Sequence, residues 1–384
     1  MTFDKLERFF MKTVAFHTLG CKVNTYETEA MQQLMESAGY RCVEFTERAD
    51  VYIVNTCSVT NIADRKSRQM LHRARKMNED AIVVAAGCYV ESAKNKIDED
   101  LSIDIIVGNN NKNDIVNIIN EYLQDKIKNK FIIDINKETE YEEFNISKIN
   151  DHTRAFIKVQ DGCNQFCSYC IIPFTRGRVR SRKMENIIDE VKSLSASGYK
   201  EIVLTGIHLS SYGVDFLDES YNKRMEKLTQ TEESDEEFVT KNELLCLIEN
   251  IANIEGIERV RIGSLEPRII QENFIKSLSK IDKFCPHFHL SLQSGCDKTL
   301  KSMNRKYTAD EFYEGVKLIR KYFASPAITT DIIVGFPGET KKDFEDSKTF
   351  VEKVKFYETH IFPYSIREGT KAANMPQVDG NEKV

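Results

Sequence analysis

Short apolar runs alternate with longer stretches of helical period along almost the whole chain, and that alternation leaves few folds open. In the first third, runs at 13–17, 41–45, 51–54, 81–86 and 103–107 read as buried strands, and stretches at 26–37, 62–77, 91–98 and 114–124 read as helices. A strand that returns parallel to its neighbour needs a crossover, and crossovers within one sheet are right-handed. Strict alternation therefore predicts a parallel sheet covered by helices on both faces, a doubly wound α/β domain over 12–125. After a polar linker at 126–153 the alternation resumes over 154–376, with runs at 155–159, 201–204, 259–263, 288–292, 328–334 and 359–363. Helical stretches at 184–196, 242–254, 270–281, 308–322 and 342–355 separate them. A closed eight-unit barrel takes about 250 residues, so six units predict an open, partial (β/α)6 barrel. Residues 214–241 interrupt it, rich in Asp and Glu and poor in apolar side chains, and read as a solvated insertion. Residues 1–11 form an extension in which Met11 is an alternative start, and 377–384 form a short tail.

Charged residues make up 30% and hydrophobic ones 41%, the balance of a globular protein. No stretch approaches the roughly 18–20 apolar residues of a membrane span. Asp4, Lys5, Glu7 and Arg8 leave the first ten residues without the apolar core of a secretory signal. Ten cysteines without small-scaffold spacing fit a reducing cytoplasm and metal binding rather than a disulfide framework. A cytoplasmic protein without a membrane partner is expected.

Three cysteines stand together in Gly162-Cys163-Asn164-Gln165-Phe166-Cys167-Ser168-Tyr169-Cys170. The spacing Cys-x3-Cys-x2-Cys can wrap three thiolates around three corners of a cubane iron–sulfur cluster and leave the fourth iron without a protein ligand. By the logic that separates catalytic from structural metal sites, an open position is kept for a substrate or cofactor. Three more, Cys21, Cys57 and Cys88, follow the first, third and fourth expected strands, at the carboxyl edge where parallel sheets bind ligands. Gly20 and Gly87 permit the tight turns that this placement needs. Spacing alone leaves two readings open, a second cluster or three unrelated buried thiols. Cys42 lies inside a strand and Cys246 inside a helix, and both read as core. Cys285 and Cys296 flank a strand that carries His287 and His289; the histidines share a face and the cysteines sit in separate loops, which argues against a third metal site.

The net charge of −6 hides two basic runs. Arg65, Arg68, His72 and Arg75 recur on one helical face after Cys57, and Arg176, Arg178, Arg180 and Arg182 follow Cys170. A basic run is ordinarily a solvated face. Here both begin within a few residues of a candidate ligand, which favours phosphate contacts beside the chemistry.

The run from Cys163 to Cys170 resembles the cluster loop of radical S-adenosylmethionine (SAM) enzymes, and Ile171 to Arg182 resembles their methylthiotransferase branch. The resemblance implies a partial (β/α)6 radical SAM barrel after an N-terminal methylthiotransferase domain. It also implies SAM chelated on the open iron of a 4Fe-4S cluster held by Cys163, Cys167 and Cys170, and cleaved there to a 5′-deoxyadenosyl radical. His-Thr-Leu-Gly-Cys21, Asn-Thr-Cys57 and Ala-Gly-Cys88 resemble the motifs that hold the family's second 4Fe-4S cluster, which carries the sulfur species to be transferred. Tyr169, Gly206, Glu266, Ser291, Gln293 and Gly335 match family positions near SAM, and no further catalytic residue is expected.

Leu19 to Asn24, Gly177 to Arg182 and Ile262 to Pro267 resemble the branch that acts on threonylcarbamoyladenosine in tRNA. The function this implies is transfer of a methylthio group to C2 of that adenosine, immediately 3′ of the anticodon. Alternatives are an isopentenyl-adenosine tRNA, a ribosomal-protein aspartate, or a non-catalytic metal-binding protein that holds RNA. The expected partners are tRNA, an electron donor and a sulfur source, with no role for DNA. Such enzymes end in a small all-β RNA-binding domain, which is expected to be missing after residue 376.

Overall fold

The structure is a computed structural model that describes residues 12–94, 96–126, 129–144, 146, 154–216 and 242–383. The extension 1–11 and residues 217–241 of the acidic insertion lie outside the described residues. The chain divides into two compact units, one drawn from Met1–Asp151 with Ile171–Arg178, the other from His152–Cys170 with Val179–Val384.

The first unit carries β1 (Thr13–Thr18), β2 (Arg41–Val43), β3 (Val51–Thr56), β4 (Ile82–Gly87), β5 (Ile105–Val107) and β6 (Asn129–Phe131). They form one parallel sheet in the order β2-β1-β3-β4-β5-β6. The order turns back between β1 and β3, and such a switch point leaves a crevice at the carboxyl ends of the strands. β3 and β4 are buried at every residue, which is why they read as unbroken apolar runs rather than as alternating ones. Their side chains feed two cores. Tyr52, Val54, Val83 and Ala85 pack with Leu71 and Ala74 of the helix Asn61–Met77, while Val51, Ile53 and Val84 pack with Met31 and Met35 of the helix Lys22–Ser37.

Two details differ from the sequence expectation. Asn129–Phe131 adds a sixth strand inside the stretch read as linker; an edge strand needs little apolar surface, and this one has a single apolar residue. The helix expected at 91–98 starts earlier, as Cys88–Ser92, and gives way to a 3-10 turn at Ile97–Glu99.

The second unit carries β7 (Ala155–Asp161), β8 (Arg180–Ser181), β9 (Glu201–Gly206), β10 (Arg259–Ile262), β11 (Ser264–Leu265), β12 (His287–Leu290), β13 (Ala327–Val334) and β14 (Glu358–Pro363). The ladders run β10-β9-β7-β8 and β11-β12-β13-β14, parallel except for β7 with β8. A parallel bridge from Val260 to Phe284 joins the two, supported by Cys285 N donating to Val260 O at 2.9 Å. The six main strands thus follow one another as β7-β9-β10-β12-β13-β14, with β8 on the outer edge of β7, which is the open partial barrel that the alternation predicts. The helices Ala309–Tyr322 and Lys341–Val354 each begin with a capping box, Thr308 with Glu311 and Thr340 with Asp343. Among the described residues no helix is long and apolar enough to cross a membrane.

Candidate functional site

In the first unit the three cysteines fall where the sheet opens. Cys21 follows β1, Cys57 follows β3 and Cys88 opens the helix after β4. Hydrogen bonds tie the strand tips together. Asn24 Nδ2 donates to Leu19 O at 2.7 Å and to Thr56 O at 2.9 Å, linking the loops of Cys21 and Cys57. Thr56 Oγ1 donates to Ala86 O and accepts from Tyr89 N at 3.3 Å, linking those of Cys57 and Cys88. Gly20 has φ +98°, and a Cβ there would stand 2.7 Å from Cys57 Sγ. Only glycine permits that approach. The thiols sense one another: burial first and Cys88 next push Cys57 up to about 12. Burial first raises Cys21 as well, against the pull of Arg176. Coordination reverses the protonation, because a metal-bound thiol is deprotonated.

Beside these thiols lies a buried polar network. Arg176 donates from Nη1 to Glu27 Oε1 at 2.8 Å and from Nη2 to Glu27 Oε2 at 3.0 Å and Asn24 Oδ1 at 2.7 Å. Lys112 Nζ also donates to Glu27, and to Asn109 Oδ1 at 2.9 Å. Asn109 Nδ2 points at Cys88 Sγ, 3.6 Å away.

In the second unit the loop after β7 holds the other trio. Gly162 and Phe166 adopt left-handed φ values of 70° and 47°. The loop is tied at several points. Gly162 N donates to Asp161 Oδ1 at 2.8 Å, and Asp161 pairs with buried Lys158 at 2.6 Å. Gln160 Nε2 donates to Gly162 O at 2.7 Å while its Oε1 accepts from His208 N at 2.7 Å. Ser168 N donates to Met303 O at 3.0 Å, and Asn304 Nδ2 to Phe166 O at 3.0 Å. Burial, above all, pushes the Cys163 thiol up to about 11.

Arg305 is the residue that sequence reasoning missed. Its Nη1 donates to Cys167 Sγ at 3.3 Å, Nη2 to Ser291 O at 2.9 Å and Nε to Tyr307 OH at 2.8 Å. No periodicity marks it, since it sits in a turn and meets a cysteine 138 positions away. His208 is a second such residue. Its Nδ1 meets Ser211 Oγ at 2.6 Å, and its buried Nε2 has no hydrogen-bond partner among the described residues.

The expected cofactor positions lie at the carboxyl ends of successive strands. Tyr169 packs edge-on to Phe336 at 6.4 Å, next to Gly335. Gly206 ends β9 against Gln160. Glu266 is buried and accepts from Arg268 Nε at 2.8 Å, with Arg268 Nη2 3.4 Å from Gln165 of the cluster loop. Gln293, at φ 69°, prolongs the ladder to β13 through its backbone, donating to Asp331 O at 2.9 Å and accepting from Ile333 N at 2.8 Å. Cys163, Cys167, Glu266, Ser291 and Arg305 thus form one neighbourhood.

Most of the expected phosphate contacts are corrected. Arg176, Arg180 and Arg182 are fully buried: Arg176 on Glu27, Arg180 3.8 Å from Asp161, and Arg182 on Glu190. A charge so far from water survives only when paired, so these arginines build the fold and cannot face RNA. Arg75 is half-buried and donates to Glu79 O and Ala81 O at 2.7 Å, a strut at the end of its helix. Arg65, Arg68 and Arg178 remain exposed. Cys42 packs on the apolar core, as expected. Cys296 Sγ faces Asp343 at 3.7 Å, and His289 Nδ1 meets Thr329 Oγ1 at 2.9 Å. Among the described residues no three His, Cys, Asp or Glu side chains close onto a single ion. A tetrahedral zinc site needs that convergence, whereas a cubane spreads its ligands over separate irons. Three cysteines in each trio suit a cluster with one open iron.

Comparison with known proteins agrees with this geometry. Residues 13–108 match the model of "Uncharacterized protein family UPF0004", and residues 157–351 that of the radical SAM superfamily. A threonylcarbamoyladenosine tRNA methylthiotransferase MtaB of Bacillus subtilis (strain 168) is 42% identical over 374 residues, 97% of this chain and 78% of its own length. A tRNA-2-methylthio-N(6)-dimethylallyladenosine synthase of Thermoanaerobacter sp. (strain X514) is 39% identical over 384 aligned residues, 96% of this chain and 75% of its own length. Among solved structures, the radical SAM methyltransferase TsrM of Kitasatospora setae, with cobalamin and a [4Fe-4S] cluster bound, superposes with a TM-score of 0.61. It is 14% identical and covers 95% of this chain and 77% of its own, a likeness of fold alone.

Proposed function

The chain belongs to the radical SAM methylthiotransferase family, and on that premise we propose that it transfers a methylthio group to C2 of the threonylcarbamoyl-modified adenosine 3′ of the anticodon in tRNA. The observation that carries this reading is the gathering of Cys21, Cys57 and Cys88 at one sheet edge, because a second trio with an open iron offers a place to hold the sulfur that is delivered. We assign that trio, with residues 12–125, to the sulfur-carrying cluster, and Cys163, Cys167 and Cys170, with residues 154–376, to the cluster that binds SAM. When bound, the two 4Fe-4S clusters and SAM supply the radical and the sulfur that a C–H bond of no useful acidity requires.

The protein's own residues orient and enclose. Arg305 fixes Cys167 against the carbonyl of Ser291. Buried Glu266 and half-buried Arg268 hold a charged pair beside the loop, with Tyr169 and the Gly335 turn closing the apolar side. Exposed Arg65, Arg68 and Arg178 are the phosphate contacts. The reaction places the enzyme with tRNA in the cytoplasm and requires an electron donor and a source of fresh sulfur.

Profiling of modified nucleosides from a deletion strain tests the substrate. Loss of the 2-methylthio form of threonylcarbamoyladenosine, with its return on complementation, is expected. Persistence of that nucleoside with loss of the 2-methylthio form of dimethylallyladenosine would transfer the assignment to the other tRNA branch.

A further inference from the structure

β12 turns Phe288 outward, where its ring meets Phe284 at 5.7 Å and Phe323, which ends the helix Ala309–Tyr322, at 5.2 Å. Side chains alternate along a strand, so His289 points to the other, concave side of the barrel. Its register partner there is Thr329 of β13; Asp331, two residues on, shares that side and pairs in register with His360 of β14. His289 Nδ1 meets Thr329 Oγ1 at 2.9 Å, its Nε2 stands 3.3 Å from Asp331 Oδ2, and the His289 and His360 rings lie 5.9 Å apart. Barrel interiors are ordinarily filled by branched apolar side chains. Here polar groups take that place and stay open: the side chains of Asp331 and His360 keep 33% and 43% of their surface exposed, against 15% for His289, which steadies Asp331.

We propose that Asp331 and His360, with His289 bridging Asp331 to Thr329, form the subsite for the substituent on N6 of the target adenosine, and that they select a threonylcarbamoyl over a dimethylallyl group. This rests on the substrate proposed above. C2 and the N6 substituent lie on the same edge of the purine, so a C2 presented to SAM at the strand ends leaves the substituent beside it. The cluster of side chains is at the matching depth. His289 precedes Ser291 by two residues, about 7 Å along an extended chain, and Ser291 O accepts from Arg305 Nη2, whose Nη1 donates to Cys167 Sγ. A threonylcarbamoyl group brings ureido N–H donors, a hydroxyl and a carboxylate. Asp331 accepts from the N–H groups, and the His360 imidazole donates to the oxygens. A dimethylallyl group offers none of these, and it would displace water from Asp331 and His360 without replacing the hydrogen bonds that water makes. Sites that hydrogen-bond their substrate reject an analogue without the partner groups for this reason.

The test compares three anticodon stem-loops that differ only at the adenosine 3′ of the anticodon: threonylcarbamoyl-modified, dimethylallyl-modified and unmodified. Fluorescence anisotropy reads their dissociation constants with the full chain, reconstituted anaerobically and supplied with SAM, for the parent, His360→Phe, Asp331→Leu and Asp331→Asn. The parent is expected to bind the threonylcarbamoyl loop most tightly. His360→Phe and Asp331→Leu should each cut its preference over the unmodified loop by about tenfold and raise the relative affinity for the dimethylallyl loop. Asp331→Asn, which keeps an acceptor, should retain most of the preference. One preparation meets all three RNAs, so a fault in folding or in cluster content weakens them alike and cancels from the ratios. Ratios in both apolar variants that match the parent's overturn the proposal and leave the substrate reading standing. A parent that does not favour the threonylcarbamoyl loop over the unmodified one leaves the subsite nothing to recognise and overturns the proposal; if it favours the dimethylallyl loop, the substrate reading falls as well. Should Asp331→Leu fail to fold, His360→Phe carries the same decision, since that side chain is nearly half open on the edge strand β14.

Discussion

Cys21, Cys57 and Cys88 come from three strand tips of one sheet, whereas Cys163, Cys167 and Cys170 come from a single loop. The first site exists only when β1, β3 and β4 are in register, so its ligand geometry is as cooperative as the domain. The second needs the fold only to orient a loop whose spacing already brings the thiols together. Each draws on an arginine from a distant part of the chain: Arg176 reaches Asn24, which ties the loops of Cys21 and Cys57, and Arg305 donates directly to Cys167 Sγ. The two sites are therefore open to different kinds of damage.

The largest difference should follow from Gly20→Val. A side chain there meets Cys57 Sγ and takes a φ that costs about 1–3 kcal/mol for other residues. Iron and sulfide in reconstituted protein are expected to fall from about eight to about four per chain, as one cubane of two is lost. The electron paramagnetic resonance signal that survives should be the one that Cys163→Ala/Cys167→Ala/Cys170→Ala removes. Full iron in Gly20→Val would mean that the sheet edge tolerates movement and that the contrast between the sites is false.

Arg305→Met should act more narrowly. It leaves Cys167 Sγ without its guanidinium donor and Ser291 O with Tyr307 OH alone, a loss of about 1–3 kcal/mol for the polar group left unpaired. In a Cys21→Ala/Cys57→Ala/Cys88→Ala background the cluster is expected to bind at lower potential, and Arg305→Lys to regain the charge but not the fork. An unmoved potential in Arg305→Met would show that the loop site takes nothing from its arginine.

What the sequence made legible follows the same division. The trio Cys163, Cys167 and Cys170 is visible as spacing, because ligand and neighbour are a few residues apart. The trio Cys21, Cys57 and Cys88 is visible only after strands are assigned and their carboxyl ends aligned. The arginines were misread because a run such as Arg176, Arg178, Arg180 and Arg182 has the composition of a solvated or phosphate-binding face. What distinguishes a buried arginine is its partner, and Glu27, Asp161 and Glu190 lie up to 149 positions away. Asn129–Phe131 escaped for a related reason: pairing with β5 makes it a strand, and pairing leaves no mark on a polar edge.

Surface charge offers a smaller effect that sharpens the correction. Arg65→Gln/Arg68→Gln alters two exposed side chains on one helix. Iron content should not change, while the salt dependence of tRNA binding should fall by about 0.7–0.9 in log–log slope for each phosphate deprived of its arginine. Filter binding across a range of salt concentrations measures this, and an unchanged slope would remove this helix from the RNA face.

The smallest effect separates the barrel site by pH. Burial first pushes the His208 imidazole down to about 4, with Arg305 and Arg268 adding to it against the pull of Glu266. The unfolded chain takes up a proton near the ordinary histidine value of about 6.5, and the folded protein refuses it until about 4. Between those values the unfolded state binds more protons, so stability is fully present above the upper one and declines as pH falls toward the lower. Urea unfolding of apo protein at about pH 7.5 and about pH 5 should show a larger acid loss in the parent than in His208→Asn. Carboxylates elsewhere titrate in both proteins, so the difference between the two isolates the imidazole. Equal losses would mean that the pocket around His208 hydrates when the clusters are absent, and the loop site would then be the less rigid of the two.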